Sequence, residues 1–234
     1  MLKKYTRKVG DIVRRRRGEM KTPGQRFAAW IEMVFMDHGI FRLIYSNTHR
    51  VSPSMYRSSQ PSPGQIARMA RLGVKTIVNL RGARDGGEYL LQKEACARHG
   101  IALIDFPISS RDAPRKTDAR KLKELFGQIE YPALLHCKSG ADRAGLGAAL
   151  YLHLHEGRPV AEAAKQLHWR YGHFRQAKTG ILDFFFDTYG RSTATVQRDL
   201  MLWSENDYDP EALKRDFRTN RWFNLLVDKI LRRE

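Results

Sequence analysis

The sequence predicts an α/β fold: a mostly parallel sheet of four to five strands flanked by helices, with helical extensions at both ends of the chain. The first observation behind this prediction is an alternation, along the middle of the chain, of short apolar runs with longer runs of helical periodicity. The second is a glycine-containing loop that follows an apolar run and leads directly into a helical run, which is where open α/β sheets bind ligands. With 234 residues and 42% hydrophobic side chains, the chain is long and apolar enough for such a core.

The elements of this alternation lie between residues 51 and 190. Predicted strands cover residues 55–59, 75–81, 101–108 and 133–137. Predicted helices cover residues 63–73, 86–100, 117–129, 143–157 and 159–172. The strands are short and rich in apolar residues, whereas the helical stretches are longer and end near a glycine, which favours helix termination. Strands that alternate with helices in this way pair in parallel, with helices on both faces of the sheet.

Three parts of the chain are predicted: a basic arm with an amphipathic helix (residues 1–50), one domain (51–190) and a helical extension (191–234). Residues 24–37 are the predicted N-terminal helix, because apolar positions recur there at helical spacing. We expect this helix to pack on its own domain, with docking on a membrane surface as the alternative. An apolar stripe in the C-terminal extension predicts that it packs on the domain of residues 51–190. The stripe consists of Leu213, Phe217, Trp222, Leu225 and Leu226.

The net charge of +17 is unevenly distributed. Residues 1–50 contain twelve Lys and Arg against four Asp and Glu, and the four arginines at 14–17 are the densest point. The simplest interpretation is a solvated basic arm. Peripheral contact with an anionic membrane is the alternative, and no nucleic-acid partner is expected. The first residues lack the apolar run of a signal peptide, and residues 27–45 carry too many charges to span a bilayer, so we expect a cytoplasmic location.

Two cysteines, Cys96 and Cys137, are too few for a disulfide framework and favour a reducing compartment. Cys96 lies in a predicted helix and is interpreted as a buried apolar residue, with a role as redox partner of Cys137 as the alternative. The histidines lack the spacing of metal ligands, so we expect neither a metal nor another cofactor.

The sequence HCKSGADRAG at residues 136–145 is the strongest functional signal. It lies between a predicted strand and a predicted helix, where backbone N–H groups of the loop and of the helix N-terminus point at one place and bind an oxyanion. The same groups stabilise the thiolate of Cys137, which is a nucleophile. Arg143 can hold two phosphate oxygens through its guanidinium. This combination indicates phosphoryl transfer to cysteine, followed by hydrolysis.

The pattern HCxxGxxR, with a further glycine at 145, resembles the cysteine-dependent protein tyrosine phosphatases, and most of all their compact dual-specificity branch of the bacterial type. The resemblance extends over about residues 50–190. It implies a dual-specificity phosphatase-like sheet, Cys137 as the nucleophile, Arg143 as the ligand of the phosphate and the transition state, and His136 as a support of the loop. The residues that would contact the phosphate are Lys138, Ser139, Gly140, Ala141, Asp142 and Arg143.

The resemblance also implies a general acid, an Asp on the loop after the third predicted strand. In residues 109–118 Asp112 is the best match, because Asp105 falls inside the predicted strand and Asp118 at the start of the next helix. Asp142, inside the phosphate loop itself, is the alternative. The pattern Cys-x-x-Gly-x-Asp-Arg resembles myotubularins and secreted bacterial phosphatases that act on phosphoinositides as well as phosphoproteins. We favour Asp112.

Two further expectations concern the hydroxyl group that usually follows the arginine and the residues that border the pocket. The family usually has a Ser or Thr after the arginine, whose hydroxyl helps the thiolate leave, so Ala144 bears on the speed of phosphocysteine breakdown. Ser139 is the residue that would compensate for the missing hydroxyl. Arg57, Gln60 and Arg81 are candidates for the border of the pocket, with Arg81 preferred.

The expected function is metal-independent hydrolysis of phosphomonoesters through a cysteinyl-phosphate intermediate. Phosphorylated proteins are the favoured substrates, as for a tyrosine or dual-specificity phosphatase. A phosphoinositide or another lipid phosphate is the first alternative, because Lys138, Asp142 and the basic N-terminal region suit an anionic headgroup. A phosphate-binding module with weak catalysis is the second alternative. The intact Cys137, Arg143 and Asp112 argue against it, because a pure binder needs no nucleophile.

Overall fold

The computed structural model describes residues 22–33, 46–193 and 199–218. The chain divides into two compact units, one formed by Met1–Pro107 and Ile129–Gly140 and the other by Ile108–Gln128 and Ala141–Glu234. The first unit contains every strand of the described residues, whereas the described part of the second is helical. Within these residues no helix combines the length and the apolar character that a membrane span requires. The domain limits at residues 50 and 190 stay predictions.

Five strands of the first unit form one sheet in the order β1-β2-β5-β3-β4. They are β1 (His49–Arg50), β2 (Met55–Ser58), β3 (Thr76–Asn79), β4 (Ala102–Asp105) and β5 (Ala133–His136). Strands β2, β5, β3 and β4 are parallel, and β1 pairs with β2 in the antiparallel sense. The predicted mostly parallel sheet is confirmed. Its β1 strand, two residues long, was not predicted because so short a segment shows no alternation.

The parallel strands end in register, and this register positions the candidate site. His136, the last residue of β5, is level with Ser58 of β2 on one side and with Asn79 of β3 on the other. Because β5 is the central strand, the residue that follows His136 emerges at the middle of the carboxyl edge of the sheet. Parallel sheets bind their ligands at this edge.

Three helices of the first unit are α1 (Pro23–Ile31), α2 (Pro63–Arg71) and α3 (Gly87–Arg98). Helix α2 begins where Ser62 and Gln65 form a capping box with Pro63 in the first turn. A core cluster lies between α2, α3 and the sheet. Its members are Ile66, Met69, Val74, Ile77, Ala95, Cys96, Ile101 and Leu134. Cys96 is 1% exposed, as predicted for a buried apolar residue, and burial raises the pKa of its thiol to about 12.

Helix α1 packs on its own unit, but two of its aromatic side chains are exposed. Ala29 and Met33 are buried with Leu91 of α3, which confirms the expected packing on its own domain. Phe27 and Trp30, in contrast, are 67% and 45% exposed. The regular helix ends at Ile31. Residues 34–37, the last part of the predicted helix, lie outside the described residues.

The second unit contains α4 (Asp118–Gln128), α5 (Asp142–Leu154), α6 (Val160–Ala163), α7 (Ile181–Ser192), α8 (Leu200–Asn206) and α9 (residues 210–218). The predicted continuous helix over 159–172 is wrong. Only α6 is α-helical there, and 3₁₀ turns follow at Ala164–Gln166 and Trp169–Tyr171. The helix is interrupted because Leu167 leaves the helical conformation (φ −93°, ψ 89°) and buries its side chain.

The described part of the C-terminal extension packs within the second unit. Leu213 of α9 is 3% exposed, and the Phe217 ring lies 5.9 Å from that of Phe184. Trp203 and Tyr208 pack against Phe185 of α7. The expected packing is thereby confirmed for the described part of the apolar stripe. Its remaining members, Trp222, Leu225 and Leu226, lie outside the described residues.

Candidate active site

Cys137 emerges from the central strand β5 and is 2% exposed. Its Sγ accepts a hydrogen bond from the backbone N–H of Gly140 at 3.3 Å. The loop thus directs a backbone donor at the sulfur atom, as a loop that binds an anion does.

In the loop after Cys137, three successive carbonyl groups accept hydrogen bonds from other residues of the first unit. The pairs are Gln60 N–H to Lys138 O at 3.3 Å, Asn47 Nδ2 to Ser139 O at 2.9 Å, and Arg57 Nη2 to Gly140 O at 2.7 Å. In a trans peptide the C=O group and the following N–H point in opposite directions. The N–H groups of residues 139, 140 and 141 therefore point away from these partners, and the N–H of Gly140 does so towards Cys137 Sγ.

Gly140 is required by both conformation and space. Its φ of +78° lies in the region that L side chains rarely adopt. A Cβ atom at this position would lie 2.6 Å from the backbone nitrogen of Ser59 and 2.7 Å from the carbonyl carbon of Ser58. These are backbone atoms of the strand end beside β5, so they cannot turn away as a side chain would. The close approach of the loop to β2 depends on this glycine.

Arg57 and Asn47 lie beneath the loop. Arg57, one of the candidates for the border of the pocket, is 0% exposed, and its guanidinium donates to the Gly140 carbonyl. Asn47 adopts a positive φ of 46°, which Asn tolerates better than most residues. Its Oδ1 is 2.9 Å from the Nε2 of His49, which orients the amide towards the loop. Gln60 and Arg81, the other strand-end candidates, are also buried.

A chain of buried polar side chains leads to His136. Arg81 forms an ion pair with Glu88 at 3.8 Å and donates a hydrogen bond to Gln60. Gln60 in turn donates to Gln92 at 3.1 Å. Gln92 Nε2 lies 2.6 Å from His136 Nε2. An amide nitrogen only donates, so His136 Nε2 accepts and the ring proton is on Nδ1. His136 Nδ1 lies 3.4 Å from the carbonyl oxygen of Cys137. The ring of His136 is thus a fixed part of the support behind the cysteine.

In the second unit, Asp142 and Arg143 form the first turn of α5. Arg143 is half-buried, and Ala144, which follows it, is fully buried. The Asp142 carboxylate accepts a hydrogen bond from Nδ1 of His173 at 2.7 Å, and Nε2 of the same ring donates to Asp183 at 2.7 Å. To reach a leaving group, the Asp142 carboxylate would have to give up this hydrogen bond. The pairing therefore disfavours Asp142 as the general acid.

Two other acidic residues are engaged in structural contacts. Asp105 ends β4, where its carboxylate accepts hydrogen bonds from Asn79 Nδ2 at 2.7 Å and from the hydroxyl of Tyr89. Asp118 begins α4, is 3% exposed, and accepts from the N–H and the guanidinium of Arg115. These contacts match the strand and helix-start positions expected for the two residues.

Asp112 is the most solvent-exposed of these candidates, with 52% of its side chain exposed. Its Oδ1 lies 2.8 Å from Nζ of Lys214 and also accepts the N–H of Ala113 at 2.9 Å. The hydrogen bond from Lys214 is the main cause that holds the pKa of Asp112 below its ordinary value. A group that donates a proton must first be protonated, so Lys214 acts against the acid form of Asp112.

The C-terminal extension fixes the segment that carries Asp112. Besides the Lys214 pair, the Tyr208 hydroxyl donates to the carbonyl of Pro114 at 2.8 Å, and Ser204 Oγ donates to that of Lys116 at 3.2 Å. Tyr208 is 2% exposed, so its hydrogen bond is made inside the unit. The conformation of this loop therefore depends on residues far away in the sequence.

Within the described ranges, no group of three or more His, Cys, Asp and Glu side chains is arranged to hold a metal ion. The predicted site residues lie in both units. Cys137, Lys138, Ser139 and Gly140 belong to the first unit, and Ala141, Asp142, Arg143 and Asp112 to the second.

Four residues that support these groups were not identified from the sequence. They are Asn47, Gln92, His173 and Lys214. Each contacts a residue distant along the chain, and none belongs to a motif with a fixed spacing. The only local signal is at Asn47, since Asn is enriched at positive φ, but the sequence alone does not show which Asn adopts it.

Residues 43–180 match the family model described as "DSP-PTPase phosphatase fused to NAD+ Kinase", and the chain belongs to this family of phosphatases. The predicted resemblance to the dual-specificity branch is thereby confirmed.

Two curated relatives, both the dual specificity protein phosphatase TpbA from strains of Pseudomonas aeruginosa, are 33% identical over 135 residues. The match covers 56% of this chain and 54% of theirs, so the chain spans about half the length of the curated relatives it matches. The crystal structure of P. aeruginosa TpbA is similar at 22% identity over 74% of this chain and 91% of that one, with a TM-score of 0.47. Tk-PTP in its active form is similar at 17% identity over 62% and 98%, with a TM-score of 0.49.

Proposed function

We propose that this chain hydrolyses phosphomonoesters through a cysteinyl-phosphate intermediate, as a protein tyrosine or dual-specificity phosphatase. The observation that carries the proposal is the N–H of Gly140 directed at Cys137 Sγ, in a loop whose carbonyls are bound on the opposite side. Membership of the DSP-PTPase family and the likeness to TpbA, a dual specificity protein phosphatase by name, support it. The proposed substrates are phosphorylated proteins, with phosphotyrosine first.

In the first step of this reaction, the thiolate of Cys137 attacks the phosphorus atom. The P–S bond forms as the P–O bond to the leaving group breaks. The N–H groups of the loop and the guanidinium of Arg143 stabilise the charge on the three other oxygens. The leaving oxygen takes a proton from Asp112, the proposed general acid.

In the second step, water attacks the phosphorus of the cysteinyl phosphate and the P–S bond breaks. Asp112, now a carboxylate, accepts a proton from the water, and inorganic phosphate and the thiolate are released. Ala144 offers no hydroxyl to the departing thiolate, so this step is proposed to limit turnover on activated esters. The thiolate is the nucleophile and Arg143 supplies the positive charge, so the scheme needs no metal.

The proposal is tested with a small aryl phosphate and two pairs of variants. Cys137→Ser removes the nucleophile, and Cys96→Ala changes the other cysteine as its control. Arg143→Lys replaces the two-pronged donor by a point charge, and Arg98→Lys makes the same change at a side chain 65% exposed on α3. We expect Cys137→Ser to abolish hydrolysis and Arg143→Lys to remove most of it, with both controls near wild type.

The same assay separates the enzyme from a pure binder. We expect EDTA to leave the rate unchanged and Cys137→Ser to keep its affinity for an oxyanion. Activity of Cys137→Ser within about tenfold of wild type would rule out the covalent mechanism, since loss of a catalytic nucleophile costs far more. Oxyanion binding without any turnover by the wild type would support the binding module instead.

A second candidate is hydrolysis of a lipid phosphate with peripheral contact at an anionic membrane. The observation that favours it is the exposure of Phe27 (67%) and Trp30 (45%), which lie three residues apart on α1, in a chain whose residues 1–50 carry an excess of Lys and Arg. Aromatic side chains next to basic residues suit a membrane interface. Co-sedimentation with vesicles containing phosphatidylserine tests it. Loss of binding in the Phe27→Ala, Trp30→Ala double variant would support contact, and equal sedimentation with neutral vesicles would contradict it.

A further inference from the structure

His173 lies at the centre of a cluster in the second unit that the proposed reaction does not use. Only 1% of its side chain is exposed, and each ring nitrogen is 2.7 Å from a carboxylate oxygen. Asp142 comes from the first turn of α5, and Asp183 from the first turn of α7. The preceding residue, Gly172, has a φ of +80°, and a Cβ built there would lie 3.7 Å from that of Ala141. Residues 172 and 173 therefore meet the start of α5 at two successive positions.

The geometry defines the protonation state of the ring. Only the imidazolium can donate from both nitrogens, because a neutral ring would turn a lone pair towards one of the carboxylates. Burial lowers the pKa of His173, but the hydrogen bonds and charges of Asp142 and Asp183 raise it more, to about 9. These two carboxylates are the charged groups that face the ring from α5 and α7. At neutral pH the cluster holds one positive charge between two negative ones.

We propose that His173 is a positioning residue for Arg143: its imidazolium fixes Asp142 and the first turn of α5, and keeps the Asp142 carboxylate from competing with phosphate for the guanidinium. The inference rests on the proposed function, in which Arg143 binds the oxyanion. Asp142 precedes Arg143 directly, so an unbalanced carboxylate there would both repel a dianionic ligand and attract the arginine. A bound imidazolium removes both effects.

The sign of the pH dependence follows from the raised pKa of His173. As pH rises through about 9, the ring loses its proton and the cluster passes from one net negative charge to two. Affinity for an oxyanion should therefore fall through this range. The contribution of the cluster to stability is complete below the ordinary pKa of an unfolded histidine and is lost through the same alkaline range.

Two measurements on the whole chain test the proposal. NMR of the histidine rings gives the pKa of His173, and calorimetric titration with tungstate gives oxyanion affinity between pH 6 and 10. Asp183→Asn removes one of the two charges that raise the pKa. We expect both the titration of the His173 ring and the fall in tungstate affinity to move to lower pH together. In the pH range where the ring is neutral in the variant but still charged in the wild type, the variant should bind tungstate about tenfold more weakly. At pH 6 the two proteins should bind tungstate equally.

Asp187→Asn is the matched control, because Asp187 lies one turn further along α7 and pairs with Arg175 at the surface. In Asp187→Asn, neither the pKa of the His173 ring nor the pH dependence of tungstate affinity should differ from wild type. His173→Gln keeps a hydrogen-bond donor but cannot titrate. It should bind tungstate weakly, with no alkaline fall of its own, and it serves if Asp183→Asn fails to fold.

The outcomes separate this inference from the proposed function. A ring that titrates near the ordinary histidine value in the wild type would overturn the inference. So would a shifted ring titration in Asp183→Asn with an unchanged tungstate profile, which would make His173 merely structural. If wild type binds no tungstate at any pH, the oxyanion site itself is wrong and the inference falls with it. If tungstate binds with the expected pH dependence but no ester is hydrolysed, the inference stands and the proposed function fails.

Discussion

The fully buried guanidinium of Arg57 donates a hydrogen bond to the carbonyl oxygen of Gly140 at 2.7 Å. A buried cation is costly unless it is hydrogen-bonded, so its position beneath the loop links a strand end of the sheet to the backbone beside Cys137. With Asn47 and the N–H of Gln60, it fixes the direction in which the loop carbonyls point. The conformation of the loop beside Cys137, the proposed nucleophile, thus depends on residues of the first unit that bind its carbonyl groups.

Arg57→Met should weaken oxyanion binding and turnover, because it removes a charge-assisted hydrogen bond while keeping most of the volume. Such a bond contributes about 1.5–3 kcal/mol, which corresponds to a loss of roughly ten- to a hundredfold. Arg50→Met is the control, since Arg50 also donates to backbone carbonyls, those of Ser52 and Pro53, but is exposed. Tungstate titration and aryl phosphate kinetics measure the effect. Equal losses in both variants would contradict a specific role for Arg57.

Gly140→Ala should nearly abolish activity, because the new methyl group would collide with backbone atoms of residues 58 and 59. Gly100→Ala controls for the conformational part of the effect, since Gly100 also has a positive φ (+64°) but open space around it. We expect Gly100→Ala to cost about 1–2 kcal/mol of stability and little activity. Urea denaturation and aryl phosphate turnover separate the two effects. A fully active Gly140→Ala would show that the loop can move away from β2 without loss.

Lys214→Ala should shift the pH profile of kcat/KM for esters of poor leaving groups. The Lys214 hydrogen bond lowers the pKa of Asp112, so its removal should raise that pKa and keep the acid form to higher pH. The alkaline limb of the profile should therefore move to higher pH in Lys214→Ala. Asp112→Asn should remove this limb and slow the hydrolysis of esters with poor leaving groups by about 10²–10⁴-fold. Lys121→Ala removes the same charge from an exposed position of α4 as the control.

The same measurements can contradict the assignment of Asp112 as the general acid. If Asp142→Asn rather than Asp112→Asn carries the dependence on the leaving group, the assignment passes to Asp142. If neither variant shows it, the acid lies elsewhere in the chain. An unmoved limb in Lys214→Ala would show that the contact with Asp112 is not maintained during turnover.

Iodoacetamide near neutral pH should label Cys137 and leave Cys96 unmodified. Burial raises the pKa of Cys96 to about 12, so its thiolate is scarce, whereas Cys137 receives an N–H hydrogen bond on its sulfur. Peptide mass spectrometry gives the labelled position, and Cys137→Ser is the control that should take up no label. Equal labelling of both cysteines would contradict the special state of Cys137.

The sequence predicted the parallel sheet and the position of the cysteine loop because both depend on local patterns. Apolar runs and flanking glycines give the strands and helices, and HCxxGxxR is contiguous. The support of the loop could not be predicted, since Asn47 and Arg57 reach residues 139 and 140 only through the register of the folded sheet. For the same reason the partners of the two candidate acids, Lys214 and His173, were not foreseen. The break at Leu167 was missed because helical periodicity does not reveal where burial interrupts a helix.

The most direct test of the central claim is to trap the intermediate. Wild-type protein is mixed with an activated aryl phosphate, quenched in acid within milliseconds, digested and analysed by mass spectrometry. We expect one phosphate on the peptide that contains Cys137, accumulating because Ala144 offers no hydroxyl to speed its breakdown, and none in Cys137→Ser. Steady turnover with no phosphate on Cys137, or with phosphate on another residue, would contradict the account.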